Sequence, residues 1–261
     1  MPELPEVESF RQYMDSTSLG QAIRGVEVKN SLILEDITAE QLSTELRGKE
    51  FQNTVRHGKF LFAKAQELFL VFHFGMTGFF NYLKWSEVVP NHSRLFIDFD
   101  NENRLVYVSQ RMLGRVALTQ SVEQYVKKKG LGPDALDMGF GSFKEQVKNR
   151  TGRVKYVLMN QKIIAGIGNI YSDEILYQTG IHPLTKFNEL DGRTVKMLFD
   201  TLKKVLRVVI DKKAHLDELP STYLIPHRYK GGMCPSCGDH LKTLNFSGRT
   251  SYYCPKDQQE L

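Results

Sequence analysis

Apolar positions recur at helical spacing directly after Pro5. Val7, Phe10 and Met14 fall on one stripe and Gly20 supplies a stop, which predicts an amphipathic helix over residues 5–19. Proline is tolerated in that first turn because the amide it lacks would have no intrahelical acceptor. From about residue 22 to 118 the period changes to two. The stretches KFLFAKA (59–65), LFLVFHF (68–74), RLFIDFD (94–100) and RLVYVS (104–109) are rich in aromatic and branched residues and are separated by polar or glycine turns. Short strands in succession with no helix between them predict an antiparallel sandwich.

GLGPDALD (130–137) punctuates the chain with two glycines and a proline, and a domain boundary is expected there. Beyond it the period is helical. SFKEQVKNR (142–150), VKYVLMNQ (154–161) and NIYSDEILYQ (169–178) predict short helices. A long helix follows, with Val195, Leu198, Leu202, Val205, Leu206, Val209 and Ile210 on one face and Lys196, Lys203, Lys204 and Arg207 facing away. At the C-terminal end HLKTLNF and RTSYYC read as two strands joined by a turn at SG (247–248), which puts Arg249 at the tip of a hairpin. The pattern as a whole is α+β. It divides into a β-rich domain over 1–130, a helical domain over 131–225 and a terminal hairpin over 226–261, with no internal repeat.

Composition narrows the function. With 41% hydrophobic and 25% charged residues in 261, the chain is an ordinary globular protein. It has no apolar run long enough to span a bilayer and no secretory leader, so a cytoplasmic protein without a membrane partner is expected. The net charge of +5 points to a polyanion partner without proving one. Cys234, Cys237 and Cys254 all lie near the C-terminus. Their CxxC spacing with a later third cysteine reads as a metal knuckle rather than a disulfide scaffold.

Further features have a plain reading, and three of them a chemical one as well. In MPELPE, loss of Met1 would leave Pro2 as a free secondary amine, with Glu3 and Glu6 beside it; the plain reading is a proline and acids at a helix start. AGIGN before Asn169 is a tight turn feeding a helix, and such a start is an anion site or simply a closely packed hairpin. Arg249 is a phosphate clasp or a solvated turn residue. Lys59 after a glycine and His73 among apolar neighbours are, taken singly, a strand-edge charge and a core histidine.

Taken together, PELPEVE, HGKFL, HFGMTG, LGPDAL, AGIGNIYSDEIL and the cysteine hairpin resemble the formamidopyrimidine-DNA glycosylase and endonuclease VIII family over almost the whole chain. The resemblance implies an N-terminal helix and antiparallel β-sandwich, a helix-two-turn-helix domain and a zinc-finger-like β-hairpin. It implies a bifunctional DNA glycosylase and abasic-site lyase of base excision repair. Pro2 would be the nucleophile that forms an iminium with the sugar, Glu3 its acid–base partner and Glu6 a support. Lys59 would join Pro2 and Glu3 in the catalytic set and also match a phosphate-binding position. His73, Asn169 and Arg249 would bind DNA phosphates, and Lys155 would lie near the lesion. Met76, Arg111 and Leu113 would fill the gap left by an extruded nucleotide. The partner would be duplex DNA with oxidised or abasic lesions, bound by a monomer in the nucleoid. The cofactor would be one structural zinc on Cys234, Cys237, Cys254 and Asp257.

The sequence departs from the family in three places. Asp257 stands where the fourth cysteine would be, with His240 as a rival ligand. The NDPRRFG-like segment appears as VSQRMLG (108–114), which keeps Arg111 but replaces other members. The link between the long helix and Cys234 is short for the branch specific for 8-oxoguanine, which leaves oxidised pyrimidines and ring-opened purines as candidate lesions. A non-catalytic protein that recognises damaged or abasic DNA on the same scaffold is the alternative; retention of Pro2, Glu3 and Lys59 together favours the enzyme.

Overall fold

A computed structural model describes residues 1–246 and 248–259 and resolves the chain into two compact units. The first unit comprises residues 1–2 and 6–129; the second comprises residues 3–5 and 130–261. Among the described residues no helix is long and apolar enough to cross a membrane.

The first unit runs α1 (Leu4–Ser18, from Glu6 onward in this unit), β1 (Ile23–Val28), α2 (Ala39–Leu46), β2 (Asn53–His57), β3 (Phe60–Ala65), β4 (Leu68–His73), β5 (Phe79–Lys84), β6 (Ser93–Phe99), β7 (Asn103–Val108), β8 (Arg115–Thr119) and α3 (Val122–Lys129). Two four-stranded antiparallel sheets, ordered β1-β6-β7-β5 and β2-β3-β4-β8, form the sandwich the alternating pattern predicts. Phe72, Phe74, Phe80 and Tyr107 pack edge-to-face or tilted between the sheets, and Phe10 of α1 lies 4.5 Å from Phe74, ring centre to ring centre. Truncating one such buried aromatic costs about 3–5 kcal/mol, so these rings dominate the unit's stability.

LFLVFHF is apolar on both sides of the strand because both sides are covered. Leu70 and Phe72 face the sandwich interior, whereas Val71 and Phe62 pack against Tyr125 of α3. The run of strands is also not uninterrupted. α2 sits inside it, its start closed by a reciprocal pair in which Thr38 accepts from the Gln41 amide and Gln41 accepts from the Thr38 amide. That Thr-x-x-Gln signature was readable; the apolar alternation around it masked it.

The second unit contains α4 (Phe140–Val147), α5 (Val154–Met159), α6 (Asn169–Gln178), α7 (Gly192–Asp211), β9 (Lys242–Phe246) and β10 (Arg249–Tyr253). The apolar stripe of α7 is buried from Leu198 to Val209 against α4, α5 and α6. Lys203 does not face away as its spacing suggested: its ammonium donates to the Leu136 carbonyl at 2.6 Å. β9 and β10 form the terminal hairpin, with Arg249 opposite Phe246. Gly248 in the connection has φ +75°, a left-handed conformation that suits glycine; Ser247, its predicted turn partner, lies outside the described residues.

The turn between α5 and α6 is pinned by the boundary segment. Ala135 donates to the Ala165 carbonyl and Ala165 donates to that of Pro133, each at 2.9 Å. Gly166 has φ +117°, and a Cβ there would lie 2.6 Å from the Leu4 side chain. Only glycine lets Leu4 enter this core, where its own amide donates to the Gly166 carbonyl at 3.0 Å.

Candidate functional site

In the first unit Pro2 and Glu6 are half-buried, and Lys59 is buried. Lys59 does not begin a strand: Gly58 and Lys59 are the two-residue turn joining β2 to β3, with His57 opposite Phe60. Gly58 has φ +56°, as such hairpin turns require. The turn is braced from α1. Glu8 accepts from Arg56 Nε at 3.0 Å, and the same guanidinium donates through Nη1 to the Gly58 carbonyl at 3.3 Å. Neither Glu8 nor Arg56 stood out in the sequence, because a lone acid and a lone arginine carry no spacing signal.

His73 ends β4 stacked against Phe60, ring centres 4.8 Å apart. Burial first, then the charges of Lys59, Lys129 and Arg115, push its imidazole down to about 4, so it is neutral near pH 7. Its Nδ1 accepts from the Gly75 amide at 3.3 Å, which leaves the ring proton on Nε2 as a donor. Beyond β4, the turn 75–78 meets the segment 111–114. Arg111 donates its amide to Thr77 Oγ1 at 3.4 Å, and a Cβ on Gly75 would meet the Gly114 nitrogen and Leu113 carbonyl carbon at 2.5 Å. These two loops expose Met76 (38%) and Leu113 (47%), with Arg111 also exposed.

In the second unit the start of α6 has no capping side chain of its own. Its amides are taken by Glu3: Oε2 accepts from Gly168 at 2.5 Å and Tyr171 at 3.5 Å, and Oε1 from Ile170 at 2.9 Å. The anion site expected at this helix start is therefore filled by the chain's own carboxylate, which is buried. Asn169 donates from Nδ2 to the Thr250 carbonyl at 2.8 Å, next to the exposed Arg249. Its Oδ1 is buried without a partner among the described residues.

Lys155, expected near the lesion, is enclosed within the second unit. It has no exposed surface; its ammonium is bound to Asp173, to Ser172 Oγ at 3.0 Å and to the Asn169 carbonyl at 3.4 Å. Burial holds its pKa below the usual lysine range even beside Asp173. A lysine so enclosed braces α6 and is not open to a ligand. Asp173 and Glu174 are the residues sequence reasoning passed over. The available signal was two adjacent acids in an otherwise apolar helix, both of which the structure buries completely.

Cys234, Cys237, Cys254 and Asp257 bring three sulfurs and one carboxylate oxygen within 4.8 Å of one another. His240, the rival, is exposed and pairs through its backbone with Met233. Three thiolates and a carboxylate fit a tetrahedral zinc ion. The Tyr177 hydroxyl of α6 lies 3.3 Å from Cys234 Sγ, and Gln258 accepts from the Cys254 amide while donating to the Ile181 carbonyl. Partners of this kind orient metal ligands.

Comparison with known proteins gives a consistent picture. Residues 1–116 match the formamidopyrimidine-DNA glycosylase N-terminal domain, 130–218 its H2TH domain, and 231–259 the zinc finger found in FPG and IleRS. The chain is 30% identical to a formamidopyrimidine-DNA glycosylase of Protochlamydia amoebophila over the full length of both. It is 31% identical to one of Streptococcus pyogenes, covering 100% of this chain and 99% of the other. Among solved structures it is similar to Lactococcus lactis Fpg bound to FAPY-dG-containing DNA (TM-score 0.89, 29% identity) and to abasic-site-containing DNA (TM-score 0.89, 30% identity). Each covers 99% of this chain and 100% of the other.

Proposed function

Because the chain belongs to the formamidopyrimidine-DNA glycosylase family, we propose that it excises oxidised bases from duplex DNA and then cleaves the abasic strand. The observation that carries this reading is the Glu3 carboxylate, held by three backbone amides at the start of α6 one residue after Pro2. A carboxylate fixed by main chain has its direction set before substrate arrives, as general acid–base catalysis needs.

With Met1 removed, the Pro2 nitrogen is a secondary amine. Its unperturbed pKa of about 7.7–8.0 leaves a usable unprotonated fraction near neutrality. The nitrogen bonds to C1′ and passes its proton to the Glu3 carboxylate as the C1′–base bond breaks, and the base departs with its electron pair and takes up a solvent proton. Glu3 protonates the ring oxygen, the sugar opens, and an iminium remains. Loss of a C2′ proton then expels the 3′-phosphate, and a second elimination expels the 5′-phosphate. Lys59 is the second amine of the set, and Glu6 supports the terminus.

Asn169, Arg249 and His73, through its Nε2–H, bind phosphates. Met76, Arg111 and Leu113 fill the stack after the damaged nucleotide leaves it, offsetting part of an unstacking cost of a few kcal/mol. Bound zinc would hold the hairpin that carries Arg249. The substrate class includes ring-opened purines, the lesion in the similar Fpg–DNA complex.

Borohydride reduction tests the mechanism. Protein beginning at Pro2 should be trapped covalently on a lesion duplex, and protein retaining Met1 should not. Glu3→Gln should bind the duplex and excise poorly. Equal trapping with and without Met1 would remove Pro2 from the mechanism.

A further inference from the structure

Asp173 is buried on α6 and receives donors from three other segments. Lys155 of α5 and Ser251 Oγ of β10 (2.6 Å) bind Oδ1. Arg228 (Nη2 2.6 Å, Nε 3.1 Å) and the Tyr252 amide (3.1 Å) bind Oδ2. Two cations on one carboxylate, with no exposed surface on the Lys155 or Asp173 side chains, is more charge than a core needs for packing. Buried pairs of this kind add little net stability, whereas losing one partner strands the others.

The donors on β10 are informative. Asn169, one helical turn before Asp173, binds the Thr250 carbonyl, so α6 grips Thr250, Ser251 and Tyr252 in succession. These are the residues immediately after Arg249. Arg249 itself is exposed and stands at the start of β10.

We propose that Asp173 is a positioning residue for DNA binding: by clamping β10 onto α6 it fixes Arg249 relative to Asn169, so that the two engage the phosphate backbone as one unit. This rests on the assignment of Asn169 and Arg249 as phosphate contacts. It also gives Lys155 a role that needs no exposure, as a buried cation paired with Asp173.

The experiment is a double-mutant cycle on the full-length protein, with affinity for a duplex carrying a tetrahydrofuran abasic analogue measured across salt concentrations. Arg249→Ala should weaken binding roughly tenfold and reduce the salt slope by about one. Asp173→Asn should cause the same loss of slope, and adding Arg249→Ala to it should cost less than about a further twofold. A merely structural Asp173 predicts an unchanged slope, with Arg249→Ala adding its full factor on top; that result overturns the proposal. If Asp173→Asn does not fold, Ser251→Ala removes one β10 donor alone and must show a smaller loss, again non-additive with Arg249→Ala; additivity there is equally fatal. A wild-type protein that ignores the abasic duplex would count against the assigned function, and not against the clamp.

Discussion

Glu174→Gln should make the protein's stability less dependent on pH, in a direction opposite to that of most carboxylates. Glu174 is buried on α6, where Oε1 accepts from Gln178 at 2.8 Å and Oε2 from the Ile225 amide at 2.8 Å. Burial raises its carboxyl to about 7, against the smaller lowering effects of those hydrogen bonds, a further one from Leu224, and the charge of Arg228. Between the ordinary glutamate value of 4.5 and about 7 the folded protein keeps this proton while the unfolded chain has lost it. Stability then falls as pH rises through that window, by about 1.4 kcal/mol per unit and roughly 3 kcal/mol in all. Glutamine cannot ionise. It loses one of the two acceptors, a penalty of about 1–3 kcal/mol that does not vary with pH. The assay is urea unfolding of both proteins from about pH 4 to pH 8, read as the difference between them, in which every other titrating group cancels. The variant should gain on wild type steadily across the window and level off above it. A flat difference curve would show that Glu174 is ionised in the fold and that its hydrogen bonds outweigh its burial.

The remaining predictions concern the metal, the double loop and the lesion. Elemental analysis should find about one zinc per chain, lost faster to chelator after Asp257→Ala and held more firmly after Asp257→Cys, because carboxylate is a harder ligand than thiolate. Gly75→Ala should destabilise the fold by about 2–4 kcal/mol in thermal or urea melts, since φ there is +60° and the new methyl would strike the 113–114 backbone. The same variant should bind lesion duplex poorly by displacing Met76 and Leu113; an unchanged affinity would detach those side chains from the interface. On a panel of defined duplexes, oxidised pyrimidines and ring-opened purines should be cut faster than 8-oxoguanine, and a strong preference for 8-oxoguanine opposite cytosine would reverse this reading of the link before Cys234.

Much of the architecture was legible because its determinants are local. The stripe of α7, the start of α6 at Asn169 and the β3 and β4 runs follow from side-chain period alone. α2 was hidden inside a stretch whose average period is two, and Lys59 was misplaced by one residue because a two-residue turn and a strand edge look alike in sequence. For the candidate site, the sequence names motif residues and is silent on what supports them. Asp173, Glu174, Arg228 and Arg56 acquire meaning from partners up to 79 positions away, which no window along the chain brings together. Lys155 shows the converse: its spacing marks it as a candidate, and nothing along the chain foretells its burial, which is decided by its partners on α6.

The grip of α6 on Glu3 also bears on how the protein comes to be made. The contact joins residues 165 to 168 positions apart, among the longest loop closures available in the chain. During vectorial synthesis the N-terminal arm emerges first, yet its anchor exists only after α5, the glycine turn and α6 have been translated and folded. A nascent or truncated chain therefore carries Glu3 with no amides to orient it. Completion of the helical unit is therefore what gives Glu3 its fixed direction, and a chain that ends before α6 has none.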